Sequence, residues 1–225
     1  PPDLGVHLHL HFLDLLDEMS LCLSRVPFPF CLYVSITDSN SLQRVQQRLA
    51  RQIPRARITV REVVNRGRDL GPMVTEFAGD LAGHEYIGHV HSKRSAHSNW
   101  KSDWRRQLLA CLLGSEDTVR YIFQRFEEDP GLGMVFPVYH HSLQKQISWG
   151  KNFAVCESLA AQLGLSIEAG RMVLFPAGSM FWARSSALQS LLGAGLSQDT
   201  FPTETGQLDG TPAHALERLF GDLVA

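Results

Sequence analysis

The side chains best suited to binding a phosphorylated ligand lie in the middle of the chain. An apolar run over residues 86–90 leads into a cluster of cationic and titratable side chains, namely His89, His91, Lys93, Arg94 and His97. Lysine and arginine donate charge-assisted hydrogen bonds to phosphate oxygens, and histidine binds either anions or transition metals. We favour an anion site over a solvated loop, because the whole cluster follows a single apolar strand.

A glycine turn provides a second place where phosphate or ribose can approach the backbone. Residues 57–64 are rich in β-branched side chains and end in the turn 65–67, where glycine can supply a positive φ. Apolar residues then recur at helical spacing over 70–81, with Pro72 in the first turn and Gly83 after the last. Such a succession of strand, turn, helix and strand forms a ligand crevice at the carboxyl ends of an open α/β sheet.

Three histidines alternate with apolar residues near the start of the chain. His7, His9 and His11 share one face of a predicted strand over residues 6–11. Neighbours two residues apart on a strand are about 7 Å apart, which is wide for binding one metal ion without a bend. We therefore favour a polar strand end that lines a cleft over a metal site.

The remaining elements place these side chains. Residues 30–36 form a buried strand whose polar end, at Asp38, caps the next helix and can also meet a ligand. We predict further strands over 134–138 and 173–184, the latter interrupted at 176–179, and helices over 12–23, 42–53, 100–113, 116–128, 152–164, 185–192 and from 211. A polar active-site loop is predicted over 139–151 and a carboxylate-bearing loop over 201–210. The alternation of strands and helices predicts an α/β fold with a mostly parallel sheet.

Composition limits the classes of function. The 225 residues carry a formal net charge of -2, which gives no overall attraction to nucleic acid or to an acidic membrane. The cysteines Cys22, Cys31, Cys111 and Cys156 lack metal spacing and lie among apolar residues, so we expect buried free thiols in a reducing compartment. We find no signal peptide and no membrane-spanning run. The chain opens on Pro1 rather than methionine, so we expect a domain excised from a longer protein.

The order of these parts resembles a nucleotide-sugar glycosyltransferase of the glycosyltransferase-A fold. In that fold an acidic and hydroxyl-bearing strand end and an N-x-G turn hold the nucleotide. The matching residues are Thr37 and Asp38 at the strand end, and Asn65, Arg66, Gly67, Arg68 and Asp69 at the turn. The resemblance implies a Rossmann-like, mostly parallel central sheet flanked by helices. It also implies a single domain in which residues 1–95 bind the nucleotide sugar and residues 96–225 bind the acceptor.

More narrowly, the chain resembles the rhamnan synthesis protein F family of bacterial cell-surface polysaccharide synthesis. The motifs that carry this resemblance are N-R-G-R-D-L-G-P, H-V-H-S-K-R-S, P-A-G-S-M-F-W-A-R and D-G-T-P-A-H-A-L-E-R. The family implies transfer of a deoxyhexose such as rhamnose, from dTDP-rhamnose or a similar donor, to a growing lipid-linked glycan of O-antigen, capsule or rhamnan. It implies a cytoplasmic location at the inner face of the cytoplasmic membrane, with peripheral association through other parts of the full chain.

The resemblance also assigns site residues. An inverting transfer needs a carboxylate to deprotonate the acceptor hydroxyl, for which Asp209 is the first choice and Glu204 the second. Asp209 also suits a helix N-cap by residue type, so this alternative stays open. Besides the residues at the strand end and turn, the nucleotide sugar is assigned to His89, His91, Lys93 and Arg94, and the acceptor to Trp149, Gly178, Ser179 and His214.

The metal requirement depends on the position where the fold usually carries Asp-x-Asp. Here that position reads His89-Val90-His91, and histidine is a poor ligand for magnesium. We therefore favour metal-independent chemistry with no required cofactor, in which Lys93 and Arg94 neutralise the diphosphate. The alternatives are bound Mn or Mg, or a transition metal held by His89 and His91.

Two hypotheses from other classes stay open. The missing Asp-x-Asp motif is consistent with a nucleotide- or carbohydrate-binding module that has no catalytic activity. The histidine-rich strand ends are consistent with a metallohydrolase that uses zinc or manganese.

Overall fold

One mixed sheet with helices on both faces forms the centre of the protein. The computed structural model describes residues 1–92 and 99–224, without the side chains of 99–102 and 144–146. The strands are β1 (Leu4–His9), β2 (Phe30–Ile36), β3 (Ala56–Glu62), β4 (Tyr86–His91), β5 (Met134–Val135) and β6 (Phe181–Arg184). Their order is β3-β2-β1-β4-β6-β5, in which the first four are parallel and β6 is antiparallel to both of its neighbours. The predicted α/β fold with a mostly parallel sheet flanked by helices is confirmed.

The helices cover the sheet as two layers. They are α1 (Leu16–Leu23), α2 (Leu42–Gln52), α3 (Leu70–Thr75), α4 (Ala78–Ala82), α5 (Asn99–Leu113), α6 (Glu116–Glu128), α7 (Phe153–Gln162), α8 (Gln189–Leu192) and α9 (Pro212–Leu223). Helices α1, α2, α5 and α6 contribute to one hydrophobic cluster, and α3, α4, α7, α8 and α9 to the other. Within the described residues, no helix is long and apolar enough to cross a membrane.

Strand β1 lies at the centre of the sheet, where both of its faces are covered. Leu4, Val6 and Leu8 belong to the first hydrophobic cluster. His7 and His9 alternate with them, as the period of two predicts, and are also buried. Polar side chains in such a position need hydrogen-bond partners within the protein, because water cannot supply them.

Some predicted elements differ from the structure. The helix predicted over 70–81 is two helices, broken at Glu76 and Phe77, and this break accompanies complete burial of the Phe77 ring, 5.2 Å from the ring of His7. Strand β5 ends at Val135, shortly before Pro137, which has no N–H for a strand ladder. Residues 173–175 form no strand, and β1 begins and ends two residues earlier than predicted.

The burial of the cysteine side chains agrees with the prediction for two of them and corrects it for the other two. Cys22 and Cys156 are buried free thiols, as expected, whereas Cys31 and Cys111 are half-buried. Cys31 alternates to the less covered face of β2, which explains its partial exposure.

A close contact within the sheet joins β4 to β6. Gly88 pairs with Trp182 across the two strands, and a Cβ atom at Gly88 would lie 2.4 Å from the indole ring. The indole is itself fixed, because it is 1% exposed and its Nε1 donates to the carbonyl of Leu112. The missing side chain at residue 88 therefore makes room for the ring that anchors β6.

We expect Gly88→Ala to lower the free energy of unfolding by about 1–3 kcal/mol, because the added methyl group overpacks the core. Urea denaturation monitored by tryptophan fluorescence measures this change. Gly79→Ala is the matched control, since Gly79 is an exposed helical glycine with open space around its Cβ position. The control should be neutral or stabilising by up to about 1 kcal/mol, and an equal loss in both variants would contradict the packing argument.

Candidate functional site

A cleft opens at the edge of the sheet where the parallel strands end. It has a volume of about 380 Å³, within the range of small-molecule sites. The described residues that line it are His9, His11, Phe12, Asn65, Arg68, Asp69, His91, Ser92, Glu204 and Gly206. These residues come from the ends of β1 and β4, the turn after β3, and the loop before α9. The crevice predicted at the carboxyl ends of the strands is therefore present.

The turn after β3 is built on a left-handed backbone. Gly67 has φ +69° and Arg68 has φ +56°, and a Cβ atom at Gly67 would lie 2.6 Å from the ring of Phe201. Arg66 pairs with Thr203 in an isolated antiparallel bridge, so the turn and the loop before α9 are held together. This contact brings residues far apart in sequence to one side of the cleft.

Arg68 and Glu204 form a charged pair in that wall. The Nε atom of Arg68 lies 3.6 Å from Oε2 of Glu204, and its guanidinium also donates to the carbonyl of Gln207. Both side chains are more than half covered, at 38% and 18% exposure. The pair presents a fixed cation and a carboxylate to a ligand.

Asp69 lies at the base of the cleft against two histidines. Its Oδ2 atom is 3.1 Å from Nε2 of His89 and 3.7 Å from Nε2 of His91. Burial by itself would raise the pKa of Asp69, but His91 and the hydrogen bond from His89 hold that pKa well below its usual value. Asp69 is therefore an ionised carboxylate in a mostly covered position.

A chain of hydrogen bonds continues from Asp69 into the sheet. Nδ1 of His89 lies 3.0 Å from Nδ1 of His7, and Nε2 of His7 lies 3.0 Å from the hydroxyl of Ser35. The same hydroxyl lies 2.8 Å from Nδ1 of His9, which lines the cleft. We call Asp69, His89, His7, Ser35 and His9 the histidine relay.

Burial keeps two members of the relay uncharged near neutral pH. Burial, followed by the neighbouring His89, lowers the pKa of His7 well below its usual value. Burial likewise lowers the pKa of His9 to about 3, although Asp69 opposes the shift. Both rings are neutral in the folded protein at pH 7.

The two histidines differ in how accessible they are from the cleft, although sequence analysis assigned both His89 and His91 to binding the nucleotide sugar. His91 lines the cleft, and its Nε2 donates to the carbonyl of Gly178. His89 is completely buried with both ring nitrogens hydrogen-bonded, to Asp69 and to His7. His89 can therefore act on a ligand through the residues that it contacts. Neither of its ring nitrogens is left to bind a metal ion. Among the described residues no cluster has the arrangement of a metal site.

The two carboxylates predicted as the base lie in different settings. Glu204 lines the cleft, whereas Asp209 joins two loops by accepting hydrogen bonds from the side chain of Asn152 and the amide of Lys151. Burial would raise the pKa of Asp209, but the bonds from Asn152 and Lys151 hold it below its usual value. The N-cap alternative for Asp209 is wrong, because Thr211 occupies that position of α9.

The residues predicted to bind the acceptor are absent from the described lining of the cleft. Gly178 and Ser179 have φ +92° and +57°, and the amide of Gly178 donates to Glu217. Trp149 is buried against Phe153. His214 is buried too, with Nδ1 2.8 Å from the Thr211 hydroxyl and Nε2 without a described partner. Burial and then Arg68 lower the pKa of His214 to about 4, so this ring is neutral and near the charged wall.

The other residues predicted to bind the nucleotide sugar are absent from the described lining of the cleft. Asp38 caps the 3-10 turn over Ser39–Ser41 through the amide of Asn40 and the hydroxyl of Ser41. The prediction that it caps the next helix is corrected, because Ser41 occupies the N-cap of α2. The Thr37 hydroxyl is 3.3 Å from Nδ1 of His11, which lines the cleft. Arg66 points to Asp199 at 3.3 Å. Lys93, Arg94 and His97 lie outside the described residues.

Ser35 is the member of the histidine relay that sequence analysis missed, and Phe12, Ser92 and Gly206 are lining residues that it did not assign. The signal for Ser35 is a small polar side chain inside the apolar strand β2, directly beside His9 in the parallel register. Detecting it requires the strand order, because β1 and β2 must first be known to be neighbours.

Comparison with known proteins adds the following. The sequence model of the family described as rhamnan synthesis protein F matches residues 2–225. Two proteins of Xanthomonas campestris pv. campestris, both called uncharacterized protein WxcX, are each 35% identical over 222 residues, which is 98% of this chain. The chain spans 31% of the length of these curated relatives. The crystal structure of S. aureus TarS 1-349 is similar with a TM-score of 0.47 and 12% identity, over 98% of this chain and 55% of that one.

The neutral histidines make stability depend on pH. In the unfolded chain His7 and His9 bind protons below about pH 6.5, whereas in the folded protein they do not until the pH falls much further. We therefore expect the free energy of unfolding to fall as the pH drops from about 6.5, by up to about 1.4 kcal/mol per pH unit for each histidine. Denaturant titrations between pH 7 and 4 measure the slope.

The matched variants for this measurement are His9→Gln and His141→Gln. His9→Gln should reduce the slope by about one proton, whereas His141, which is exposed, should change it little. A wild-type slope that is flat across this range would show that His7 and His9 are charged in the folded protein.

Proposed function

This chain belongs to the rhamnan synthesis protein F family, and we propose that it is a glycosyltransferase domain of bacterial cell-surface polysaccharide synthesis. The observation that carries this proposal is the cleft at the carboxyl ends of the parallel strands, in a chain that the family matches over residues 2–225. That edge is where open α/β sheets bind nucleotides. The reaction transfers rhamnose or a related deoxyhexose from a nucleotide diphosphate to a lipid-linked glycan of O-antigen, capsule or rhamnan.

We propose that the nucleotide-sugar donor binds in the described cleft. The guanidinium of Arg68 provides a charge-assisted donor for the diphosphate, and Asn65 and Ser92 line the same space with groups able to bind ribose or phosphate. Thr37 supports His11 at the rim, and Lys93 and Arg94, which follow β4 in sequence, supply further cations. This arrangement is the basis for proposing chemistry without a required Mn or Mg ion.

We assign the general base to Glu204. It is the predicted carboxylate that lines the cleft, and its pairing with Arg68 keeps it close to the group proposed to bind the leaving diphosphate. Asp209 takes a positioning role, because it holds the loop before α9 against the loop at Asn152. An inverting reaction follows this scheme: Glu204 takes the acceptor proton while the acceptor oxygen attacks the anomeric carbon and the diphosphate leaves. The site acts at the cytoplasmic face of the membrane, where nucleotide sugars are available.

We expect the protein to bind dTDP-rhamnose and dTDP in chelator, and Arg68→Gln to weaken the affinity about 10–100-fold through loss of charge-assisted hydrogen bonds. Isothermal titration calorimetry measures this, with UDP and GDP as comparisons. The matched control is Arg48→Gln, since Arg48 is paired with Asp17 on the surface, outside the cleft. Absence of binding to every nucleotide would contradict the proposed function.

Catalysis is tested separately from binding. Glu204→Gln should retain dTDP-rhamnose binding and lose about 100-fold or more in release of dTDP, because the general base is removed. Asp209→Asn should lower stability and change release less. The assay follows dTDP release from dTDP-rhamnose with a membrane extract as the source of acceptor. A wild-type protein that binds donor without any release would instead support a non-catalytic binding module.

A further inference from the structure

The fixed charges in the described part of the cleft do not by themselves neutralise an anionic ligand. Its fixed charges are one guanidinium, on Arg68, and two carboxylates, on Asp69 and Glu204. The three histidines that line it are His9, His11 and His91. A nucleoside diphosphate adds several negative charges, so its binding favours the arrival of a positive charge in this wall.

The histidine relay contains no positive charge when Asp69 is ionised and its three rings are neutral. In that state His89 donates from Nε2 to Asp69 and accepts at Nδ1 from Nδ1–H of His7. Nε2 of His7 then accepts from the hydroxyl of Ser35, whose oxygen accepts from Nδ1–H of His9. Every hydrogen-bond donor of the relay then has an acceptor, and Nε2 of His9 keeps an unshared lone pair.

The same distances also allow every hydrogen bond of the relay to run in the opposite direction once one proton is added. If a proton arrives at Nε2 of His9, its Nδ1 becomes an acceptor from Ser35, and Nε2–H of His7 donates to Ser35. Nδ1 of His7 then accepts from Nδ1–H of His89, which becomes an imidazolium 3.1 Å from Asp69. One proton enters, no bond is left unsatisfied, and the charge comes to lie beside a buried carboxylate.

We propose that the cleft takes up one proton when a nucleoside diphosphate binds, and that the histidine relay moves the resulting charge from His9 to His89 beside Asp69. This inference rests on the proposed function. It adds that the proton neutralises part of the diphosphate charge, which a divalent cation usually neutralises. The reverse shift releases the proton when the nucleotide leaves.

The groups around the relay support this direction of transfer. Burial keeps the pKa of His9 low, so a charge does not remain there, whereas His89 faces a carboxylate. His91 lies 3.7 Å from the same carboxylate, and Arg68 and Glu204 line the same cleft. His11, whose ring stacks at 6.2 Å from that of His9, is the alternative proton acceptor at the rim.

Calorimetry with dTDP tests the proposal in chelator at pH 7, in buffers whose ionisation enthalpies differ. The slope of the binding enthalpy against buffer enthalpy gives the number of protons taken up, and we expect about one. A slope of zero with binding retained overturns this inference and leaves the proposed function standing. No binding to dTDP, UDP or GDP overturns both.

A matched pair of serine variants tests the relay. Ser35→Ala removes the hydroxyl that joins His7 to His9, so it should abolish proton uptake and weaken dTDP binding about tenfold. Ser20→Ala is the control, because Ser20 is equally buried but bonds a helix carbonyl outside the relay. If proton uptake persists in Ser35→Ala but is lost in His11→Gln, the proton binds to His11 and the relay proposal is overturned.

A measurement on the unaltered protein decides the matter if Ser35→Ala does not fold. Nitrogen-15 spectra of labelled histidine distinguish the ring tautomers. Without nucleotide, His7 and His9 should carry hydrogen on Nδ1 and His89 on Nε2. With saturating dTDP, His7 and His9 should switch to Nε2–H and His89 should become doubly protonated. Unchanged tautomers at saturation overturn the proposal.

Discussion

The burial of His7 and His89 at the centre of the sheet is the constraint on which the site depends. Both rings are completely covered, so every ring nitrogen needs a partner from the protein. The parallel register places the two side by side, and it places Ser35 beside His9 at the next polar position. Asp69 completes the chain from the turn after β3. Hydrogen bonds therefore link the position of that turn to the interior of the sheet.

The side of the cleft that carries Glu204 depends on contacts between distant loops. Phe201 fills the space beside Gly67, and Arg66 bridges to Thr203, so the loop before α9 is attached to the turn at two points. Asn152 and Asp209 hold the same loop from the other side. Glu204 is thus carried on a loop with three separate attachments, which suits a group that must be positioned against a ligand. The strain of a left-handed Arg68 is maintained by this packing, as strained residues at functional sites generally are.

Local pattern was enough to predict the elements, and the limits of that prediction are physical. The alternation along β1 predicts that the histidines share a face, and the position of the cluster after β4 predicts a site at the strand ends. Neither pattern identifies Ser35, because its role depends on which strands are neighbours. The break between α3 and α4 was missed for a similar reason: helical spacing continues through Phe77, while burial of its ring against His7 is a tertiary effect. Asp209 looked like a cap because its partner, Asn152, is distant in sequence.

Histidines at these strand ends also change what the folded protein needs in order to keep the strand ends stable without a ligand. Carboxylates in such a covered position repel one another and lose solvation, so they are stable together only with a cation or with one of them protonated. Neutral histidines avoid that cost, because each ring can donate at one nitrogen and accept at the other. A chain of them is satisfied without any ion, with a single carboxylate at its end. The sheet can therefore keep its strand ends folded and closely packed before a ligand arrives. The charge that the ligand needs can then come from protons in solution, whose supply is set by pH rather than by the concentration of a metal.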